Sequence, residues 1–526
     1  MKTTVSLLAL AGAASAATEL PSIIAKGSKF FYPNGTQFFM KGIAYQRDVG
    51  AAGAKSDPTA KYMDPLADQD SCKRDVPYLQ DLSINIIRTY AIDPKQDHSY
   101  CMGLLQDAGI YVVSDLSEPA TSINRDDPQW NTELYDRYTA VVDEMSKYSN
   151  VVGFFAGNEV SNSANNTGAS AYVKAAVRDT KKYIKDNSKR WIGVGYAAND
   201  DKDIRSEIAD FFNCGESEES IDFWGYNIYS WCGDSSMSKS GYDKQVEFFQ
   251  DFSVPVFFAE YGCNLPNGAK GRKWQETEAL YSDEMTKVFS GGLVYMYFQE
   301  ENDYGIVEIK GGEAEKQDDY DALKKAHAAA DPKGVDMDQY KPSSKAATCP
   351  NVSKAWQAAA QLPPTPDKTL CKCMSDSLDC VVSDDLDEKQ YGDLFGLVCA
   401  NNQKVCAGIN GVTNLGNYGA YSMCTPKEKL SYVLDAYYQA HGKSSDACGW
   451  KGAKLQKGST ASACQKSLSD AKQQNQAIAT ATGNVAAPKA TGGSGKGKGK
   501  ENFGVRTAPS GVLAAGVVAM AVVLAL

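Results

Sequence analysis

Eight short apolar segments recur between Phe38 and Gln299, and each is followed by a longer polar or amphipathic stretch. Several of the intervening stretches, such as ASAYVKAAVRDTKKYIKD, place apolar residues at helical spacing. Eight strand–helix units within about 260 residues predict an α/β fold, the (β/α)8 TIM barrel. An open doubly wound sheet is the alternative, but no Gly-rich phosphate-binding turn follows the first segment. The eight segments read FFMKGIAYQ, INIIRTY, GIYVVSDL, VVGFFAGNE, WIGVGY, IDFWGYNIY, VPVFFAEYG and GGLVYMYFQ.

The fourth segment is apolar enough for a strand buried on both faces, yet it ends in Asn158 and Glu159. An amide and a carboxylate are costly to remove from water without partners. In a barrel of this type the active site lies at the carboxyl ends of the strands, so the last residues of each segment are candidate site residues. The candidates for substrate binding are Gln46, Arg88, Tyr90, Asp115, Asn158, Asn227, Tyr229, Tyr295 and Tyr297.

Two glutamates, Glu159 and Glu260, end the fourth and seventh segments, which lie on different sides of the barrel mouth. Two facing carboxyl groups suit glycoside chemistry, because one protonates the leaving oxygen and the other attacks the anomeric carbon. A single strand-end glutamate is more often a salt-bridged or solvated carboxylate, but a pair at facing strand ends favours catalysis. Neither a metal nor another cofactor is expected, and the 3 histidines of the chain do not readily supply a Ser–His–Asp set.

The strand–helix pattern stops after about Asp331, which divides the rest of the chain by composition. We assign residues 17–335 to the barrel and residues 336–368 to a connecting segment that contains the Pro-rich stretch QLPPTPDK. Residues 369–466 are crowded with cysteines and predict a small second domain that needs disulfides because its core is modest. Residues 467–501, which include TGGSGKGKGK, are expected to form a flexible linker.

The 14 cysteines are typical of a secreted chain with disulfides. They form one widely spaced group and one crowded group, and each group is even, so each domain is expected to close its own bridges. The connectivity remains open. Zinc binding is the competing interpretation, but the sequence has no CxxC pair and few histidines. The first group is Cys72, Cys101, Cys214, Cys232, Cys263 and Cys349; the second is Cys371, Cys373, Cys380, Cys399, Cys406, Cys424, Cys448 and Cys464.

Both ends of the chain resemble sorting signals. Residues 1–16 combine Lys2, an apolar stretch and the small residues ASA, which is typical of a cleaved secretory signal rather than a buried helix. Residues 502–526 combine small residues, a short polar spacer and an apolar tail, which indicate a GPI-anchor signal at Asn502 rather than a spanning helix. Candidate N-glycosylation sequons begin at Asn34, Asn165 and Asn351.

The formal net charge of −11 bears on the kind of partner. An acidic chain argues against nucleic acid, whose phosphates require a basic surface. The same charge is compatible with a neutral polysaccharide but does not demonstrate one.

Several motifs together resemble fungal β-1,3-glucanosyltransferases, glycoside hydrolase family 72: KGIAYQ, IIRTYAID, GNEV, GYNIYSWCG, AEYGC and GGLVYMYFQEENDYG. The resemblance runs over nearly the whole secreted chain. It implies that Glu159 is the general acid/base and Glu260 the nucleophile. It further implies that Arg88 keeps Glu260 ionised, since a nearby cation favours a charged carboxylate. Matching positions in the donor subsites are Tyr90, Asn158, Tyr229 and Tyr295.

The cysteine-rich region is similar to the family 43 carbohydrate-binding module that accompanies one branch of this family. The stretches LCKCMSDSLDCVVSDD and NYGAYSMCTPKEKLSYVLDAYY carry that likeness. The resemblance implies that the module contacts the barrel, and it leaves open whether the module binds glucan.

The expected function is therefore that of a 1,3-β-glucanosyltransferase that cuts an internal bond of β-1,3-glucan and transfers the new end to a second glucan chain. The expected partners are the donor and acceptor glucan chains, and we expect a monomer. The expected location is the outer face of the plasma membrane and the cell wall, with membrane contact through the anchor only. An endo-β-1,3-glucan hydrolase uses the same two carboxylates and is the nearest alternative. A non-catalytic glucan-binding wall protein is the alternative of a different class.

Overall fold

The computed structural model describes residues 19–47 and 62–481. Its first three strands form an antiparallel sheet with β2 in the centre. Phe30, on β2, is fully buried, and its ring lies 6.3 Å from that of Phe223 and 6.2 Å from that of Phe257. Since Phe223 and Phe257 lie at the start of two barrel strands, this sheet closes the amino end of the barrel. The strands are β1 (Ile24–Lys26), β2 (Lys29–Phe31) and β3 (Gln37–Phe38).

Eight parallel strands then form a closed barrel, which confirms the (β/α)8 prediction. Consecutive strands pair with one another, and the last strand pairs with the first. Each of the eight apolar segments supplies one strand. These strands are β4 (Met40–Ala44), β5 (Ile86–Thr89), β6 (Tyr111–Asp115), β7 (Val151–Asn158), β8 (Gly193–Asn199), β9 (Trp224–Asn227), β10 (Val256–Tyr261) and β11 (Phe289–Val294).

Helices alternate with the barrel strands, and short polar residues set where several of them begin. The Asn131 side chain, for example, accepts a hydrogen bond from the backbone N–H of Leu134 and caps α3. Asp68 caps α1 in the same way through Ser71. The helices of the barrel are α1 (Gln69–Asp81), α2 (Ser99–Asp107), α3 (Thr132–Met145), α4 (Ala169–Asn187), α5 (Arg205–Asn213), α6 (Met237–Ser240), α7 (Tyr242–Phe249), α8 (Gln275–Leu280) and α9 (Tyr320–Ala329).

The inside of the barrel is filled by large aromatic side chains opposite very small residues. Phe155 is fully buried, and a Cβ at Gly225 would come within 2.7 Å of its ring and 2.8 Å of the Ala259 side chain. Glycine at 225 is therefore required by packing rather than by backbone conformation. This packing fixes β7, β9 and β10, the three strands whose ends carry the polar residues described below.

The chain between the barrel and the cysteine-rich module returns along the barrel surface. An antiparallel hairpin, β12 (Val307–Lys310) and β13 (Glu313–Lys316), precedes α9. No helix or strand is assigned in residues 336–367, apart from isolated bridges of Asp336 to Thr36 and of Ala347 to Cys214. A disulfide between Cys214 and Cys349 fastens this connecting segment to the barrel.

The cysteine-rich module packs its own small apolar core around α12, which begins with a capping box formed by Thr425 and Glu428. Its last helix ends at Thr480 and is anchored by Asn475, whose Oδ1 accepts a hydrogen bond from the Ala420 backbone. The prediction of a flexible linker from 467 is therefore wrong for residues 467–480. The module comprises α10 (Lys368–Asp376), β14 (Cys380–Val382), α11 (Tyr391–Asn401), β15 (Gly411–Val412), β16 (Asn417–Tyr418), α12 (Pro426–Ala440), β17 (Ala453–Leu455) and α13 (Gln465–Thr480).

The module contacts the barrel on the side of α3 and α4. The backbone N–H of Thr132 donates to the carbonyl of Met423 at 3.0 Å, and Lys429 Nζ donates to Gln129 Oε1 at 2.7 Å. The lysine is buried, and this burial lowers its pKa to about 8. These contacts seat the module beside the loop that follows β6.

All fourteen cysteines are paired, and the two groups pair separately as expected. Three bridges lie in the barrel and its connecting segment, and four lie in the module. One of them joins Cys232 to Cys263, three residues beyond Tyr229 and Glu260, so it links the ends of β9 and β10. The pairs are Cys72–Cys101, Cys214–Cys349, Cys232–Cys263, Cys371–Cys424, Cys373–Cys464, Cys380–Cys448 and Cys399–Cys406.

The predicted modification and sorting sites are only partly within the described residues. Asn34, Asn165 and Asn351 are exposed and remain candidate glycosylation sites. The signal at 1–16 and the anchor at Asn502 lie outside the described residues. Among the helices that are described, none combines the length and the apolar character of a membrane span.

Candidate active site

The Glu260 carboxyl lies on β10, near the carboxyl end of the barrel, and is only 8% exposed. Oε1 accepts hydrogen bonds from the Tyr90 hydroxyl at 2.8 Å and from Arg88 Nη1 at 3.3 Å. Oε2 accepts a hydrogen bond from the Tyr229 hydroxyl at 2.8 Å. Both oxygens are thus held in a fixed orientation by donors from β5 and from the end of β9.

Burial raises the pKa of the Glu260 carboxyl to about 7. Arg88 and the two tyrosine donors lower it, and the nearby Glu159 raises it further, because two carboxylates resist carrying charge together. Arg88 thus favours the ionised form of Glu260, in the direction expected, although burial outweighs its effect on the pKa. A raised pKa places this group where its protonation changes near neutral pH.

Arg88 is fully buried, and its guanidinium pairs mainly with the Asp115 carboxylate. Its Nε and Nη2 donate to the two oxygens of Asp115 at 3.0 and 3.1 Å, and its guanidinium carbon lies 4.3 Å from the ring centres of both Tyr90 and Phe155. Both carboxylate oxygens of Asp115 are occupied and the residue is 1% exposed. Asp115 therefore holds Arg88 in place, and its contact with substrate stays a prediction.

Glu159 follows β7 directly and has a backbone φ of +49°, in the left-handed region that non-glycine residues rarely adopt. Its backbone N–H donates to the Ala197 carbonyl of β8 at 2.8 Å, and its side-chain Oε1 accepts from Asn227 Nδ2 at 2.8 Å. The carboxyl group is only half-buried. The end of β7 therefore turns out of the strand path and presents this carboxyl group beside β9.

Asn158 joins the two glutamates through one oxygen. Its Oδ1 accepts from Arg88 Nη2 at 3.1 Å and from Asn227 Nδ2 at 3.0 Å. Arg88 also contacts Glu260, and Asn227 also contacts Glu159. The predicted residues Arg88, Asn158 and Asn227 thus form one continuous network between the carboxyl groups.

Tyrosine rings surround Glu260 on its open side. The ring of Tyr295 lies 6.4 Å from Tyr90 and 6.3 Å from Tyr229, edge to face in both cases. Tyr304, which sequence reasoning did not select, lies 5.4 Å from Tyr295 and 5.6 Å from Tyr229. It comes from the loop after β11, in the motif ENDYG, where no strand-end pattern marks it. Such a cluster offers apolar ring faces to a sugar.

Gln46, another predicted substrate contact, is buried behind Tyr90. The Gln46 side chain is 2% exposed, and its Oε1 accepts from the backbone N–H groups of Tyr90 and Ala91 while its Nε2 donates to the Met63 carbonyl. Its polar atoms therefore position the backbone of Tyr90, and substrate binding by Gln46 stays a prediction.

Tyr297 follows β11, and its side chain lies against α1 rather than in the site. The residue is fully buried, and its hydroxyl donates to Asp75 of α1 at 3.0 Å. The prediction that it binds substrate is wrong, and it packs between the barrel and α1 instead.

A parallel eight-stranded barrel that carries two linked glutamates and a tyrosine cluster at the carboxyl ends of its strands defines a carbohydrate-active enzyme of the TIM-barrel class. More narrowly, the chain belongs to the glucanosyltransferase family, glycoside hydrolase family 72, which matches residues 12–331. An X8 domain matches residues 378–455 within the cysteine-rich module. Both matches confirm the resemblance drawn from the motifs.

Relatives named 1,3-beta-glucanosyltransferase match most of the chain. It is 57% identical over 473 residues to a 1,3-beta-glucanosyltransferase of Arthroderma benhamiae, spanning 89% of this chain and 85% of that protein. It is 45% identical over 447 residues to the 1,3-beta-glucanosyltransferase gas1 of Schizosaccharomyces pombe, spanning 84% of this chain and 81% of that protein.

A solved structure supports the fold over both domains. Saccharomyces cerevisiae Gas2p in complex with laminaritriose and laminaritetraose matches with a TM-score of 0.75 at 40% identity, covering 83% of this chain and 97% of that chain. The laminari-oligosaccharides are ligands of that protein.

Proposed function

We propose that this protein elongates β-1,3-glucan by retaining transglycosylation, with Glu260 as nucleophile and Glu159 as general acid/base. The observation that carries the proposal is the network Glu260–Arg88–Asn158–Asn227–Glu159, which links two carboxyl groups in different surroundings. One is buried and oriented by three donors, and the other is half-buried at a strand end. The relatives named 1,3-beta-glucanosyltransferase support the choice of reaction.

In the first step the Glu260 carboxylate attacks the anomeric carbon of the donor while Glu159 protonates the departing glucan oxygen. The state that reacts carries one proton on the pair. When Glu159 holds that proton, its repulsion of Glu260 disappears, so the pKa of Glu260 falls and the nucleophile becomes ionised. Tyr90 and Tyr229 favour this ionised form because their hydroxyl groups donate to it.

In the second step Glu159, now deprotonated, accepts the proton of an incoming hydroxyl group, and the bond between Glu260 and the sugar breaks. A glucan hydroxyl as acceptor gives transfer, and water gives hydrolysis. Asn158 uses only Oδ1 in the network, so its Nδ2 can donate to a sugar hydroxyl. The rings of Tyr295 and Tyr304 supply faces for donor sugars.

Incubation with one pure laminari-oligosaccharide tests the reaction, with products separated by chain length. Products longer than the substrate indicate transfer, whereas only shorter products would identify a hydrolase. Glu159→Gln and Glu260→Gln are each expected to remove nearly all turnover without unfolding the protein. Full activity in either folded variant would refute the assignment of roles, and glucan binding without any cleavage by the unaltered protein would favour a wall-binding protein.

For location we propose a monomer held at the outer face of the plasma membrane by a GPI anchor at Asn502, acting on cell-wall glucan. The support is the order of small, polar and apolar residues in 502–526 together with the expected signal at 1–16. Release of the protein from intact cells by a phosphatidylinositol-specific phospholipase is the expected result. Retention after that treatment would contradict the anchor.

A further inference from the structure

Arg125 lies on the loop between β6 and α3, and its Nη2 donates to the backbone carbonyl of Glu159 at 2.6 Å. This carbonyl belongs to the residue with a φ of +49°, beyond the end of β7, so the strand ladder does not hold it. We infer that Arg125 is a positioning residue for the acid/base: it fixes the Glu159 peptide and thereby the direction of the carboxyl group. The inference rests on the proposed role of Glu159.

The Glu159 peptide is held from three sides. Its N–H donates to the Ala197 carbonyl of β8, its carbonyl accepts from Arg125, and the next turn is fixed where the backbone N–H of Ser161 donates to the Tyr196 hydroxyl at 3.2 Å. Two of these partners belong to β8, the neighbouring strand. Arg125 is the partner that comes from the other side, and removing it frees the peptide to rotate.

Arg125 makes poor use of its hydrogen-bonding capacity for a purely structural residue. Its Nε is buried without a hydrogen-bond partner in the described part of the chain. Arg137, on α3, provides a contrast, because it donates to three loop carbonyls, those of Ile92, Leu116 and Ser117. A buried donor without a partner is unfavourable. The loop therefore directs the Arg125 guanidinium at one carbonyl, that of Glu159, and leaves one buried donor, Nε, without a partner in the described part of the chain.

The loop is shaped to deliver this side chain. Ile123 is buried in the main core of the barrel and anchors the loop two residues before the arginine. Asn124 Oδ1 accepts from the backbone N–H of Asp126 at 2.9 Å, which closes a turn around Arg125. The position of the guanidinium is thus set by its own loop rather than by the acid/base that it contacts.

The inference is tested by donors that differ in their need for an acid. A laminari-oligosaccharide requires protonation of its leaving oxygen. With 2,4-dinitrophenyl β-laminaribioside, Glu260 forms the new bond to the anomeric carbon, and dinitrophenolate leaves with the electron pair of the broken bond and needs no proton. We expect Arg125→Met to lower kcat/KM about 10- to 100-fold for the oligosaccharide and to leave it within about twofold for the aryl glycoside. Arg125→Lys keeps a donor and should recover part of the loss.

Arg137→Met is the matched control, because it removes an arginine from a loop contact at the same end of the barrel that does not involve Glu159. It is expected to affect both donors equally, through stability alone. Glu159→Gln calibrates the comparison and should show the same dependence on the donor as Arg125→Met, but larger.

Two results would overturn the inference. In the first, the loss of kcat/KM in Glu159→Gln differs between the two donors, but the Arg125 variants lose activity equally on both donors or lose none. Arg125 then does not position the acid/base. If Glu159→Gln itself loses activity equally on both donors, the acid/base assignment fails and the role of Arg125 falls with it. The melting temperature of each variant shows whether it is folded. If Arg125→Met does not fold, the two donors are compared with Arg125→Lys instead.

Discussion

Arg88 directs two of its N–H groups at the two oxygens of Asp115 and only one, at 3.3 Å, at Glu260. The buried cation is therefore balanced mainly by Asp115, while Glu260 is left with a weaker ionic contact and two tyrosine donors. Burial raises the pKa of Glu260, and this weaker contact with the arginine does not offset the effect of burial. This division also makes Asp115, whose two oxygens both accept from Arg88, a determinant of the site.

Replacing Asp115 with Asn is expected to lower the free energy of unfolding by about 3 kcal/mol, because a buried ion pair that loses one partner leaves an uncompensated charge. Activity should fall as well, since Arg88 is then free to shift toward Glu260 and away from Asn158. Chemical denaturation and kcat/KM measure the two effects. Asp136→Asn is the control, as it removes an exposed carboxylate that pairs with Lys368 on the surface; a similar loss there would contradict the argument.

The tyrosine donors to Glu260 predict a change in pH dependence. A hydroxyl group that donates to a carboxylate favours its charged form, so Tyr90→Phe or Tyr229→Phe should raise the pKa of Glu260 further. Because the nucleophile must be ionised, the acidic limb of the kcat/KM profile should move to higher pH. A hydrogen bond to a charged group contributes about 1.5–3 kcal/mol, so activity on the acidic side should fall roughly tenfold or more.

Tyr226→Phe is the comparison variant, since the Tyr226 hydroxyl bonds to Asp200 rather than to a site residue. Its acidic limb should coincide with that of the unaltered protein. An unchanged limb in both Tyr90→Phe and Tyr229→Phe would show that these hydroxyl groups do not control the ionisation of Glu260.

The barrel and its two glutamates could be predicted from the sequence because they depend on periodic features. Eight apolar segments define eight strands, and parallel strands bring their carboxyl ends to one mouth, where Glu159 and Glu260 follow from position alone. The direction of a side chain at a strand end does not follow from that pattern. The side chains of Gln46 and Asp115 bond to neighbouring protein groups, and the Tyr297 hydroxyl is directed at Asp75 on α1. Tyr304 and Arg125 were missed because they come from loops, which carry no periodic signal.

The disulfide between Cys232 and Cys263 predicts a link between stability and activity. It closes a 31-residue separation and joins the segments that carry Tyr229 and Glu260. Replacing both cysteines with Ala is expected to cost about 3 to 4 kcal/mol through loop entropy and to lower kcat/KM by loosening the tyrosine donor. The matched pair, Cys399 and Cys406, closes a separation of only 7 residues in the module. Its removal should cost less, about 2 kcal/mol, and leave kcat/KM unchanged; equal activity losses would contradict the prediction.

His98 predicts a pH-dependent contribution to stability away from the active site. The ring is fully buried between Asp64, at 2.9 Å from Nε2, and Glu144, at 3.1 Å from Nδ1. Burial lowers the pKa of His98, but the two carboxylates outweigh burial and raise it above its ordinary value. A group with a raised folded-state pKa stabilises the fold fully at pH values below its unfolded pKa of about 6.5, and this contribution is lost as the pH rises through the folded-state value.

Replacing His98 with Gln should therefore lower the melting temperature most at acidic pH, with a difference from the unaltered protein that shrinks as the pH becomes alkaline. Melting curves recorded from acidic to alkaline pH measure the effect directly. His441→Gln is the control, because His441 is exposed and its Nδ1 bonds to a backbone carbonyl, that of Tyr437. A difference for His98→Gln that stays constant with pH would mean that the ring contributes packing and neutral hydrogen bonds rather than charge, since only the charged form loses its contribution on deprotonation.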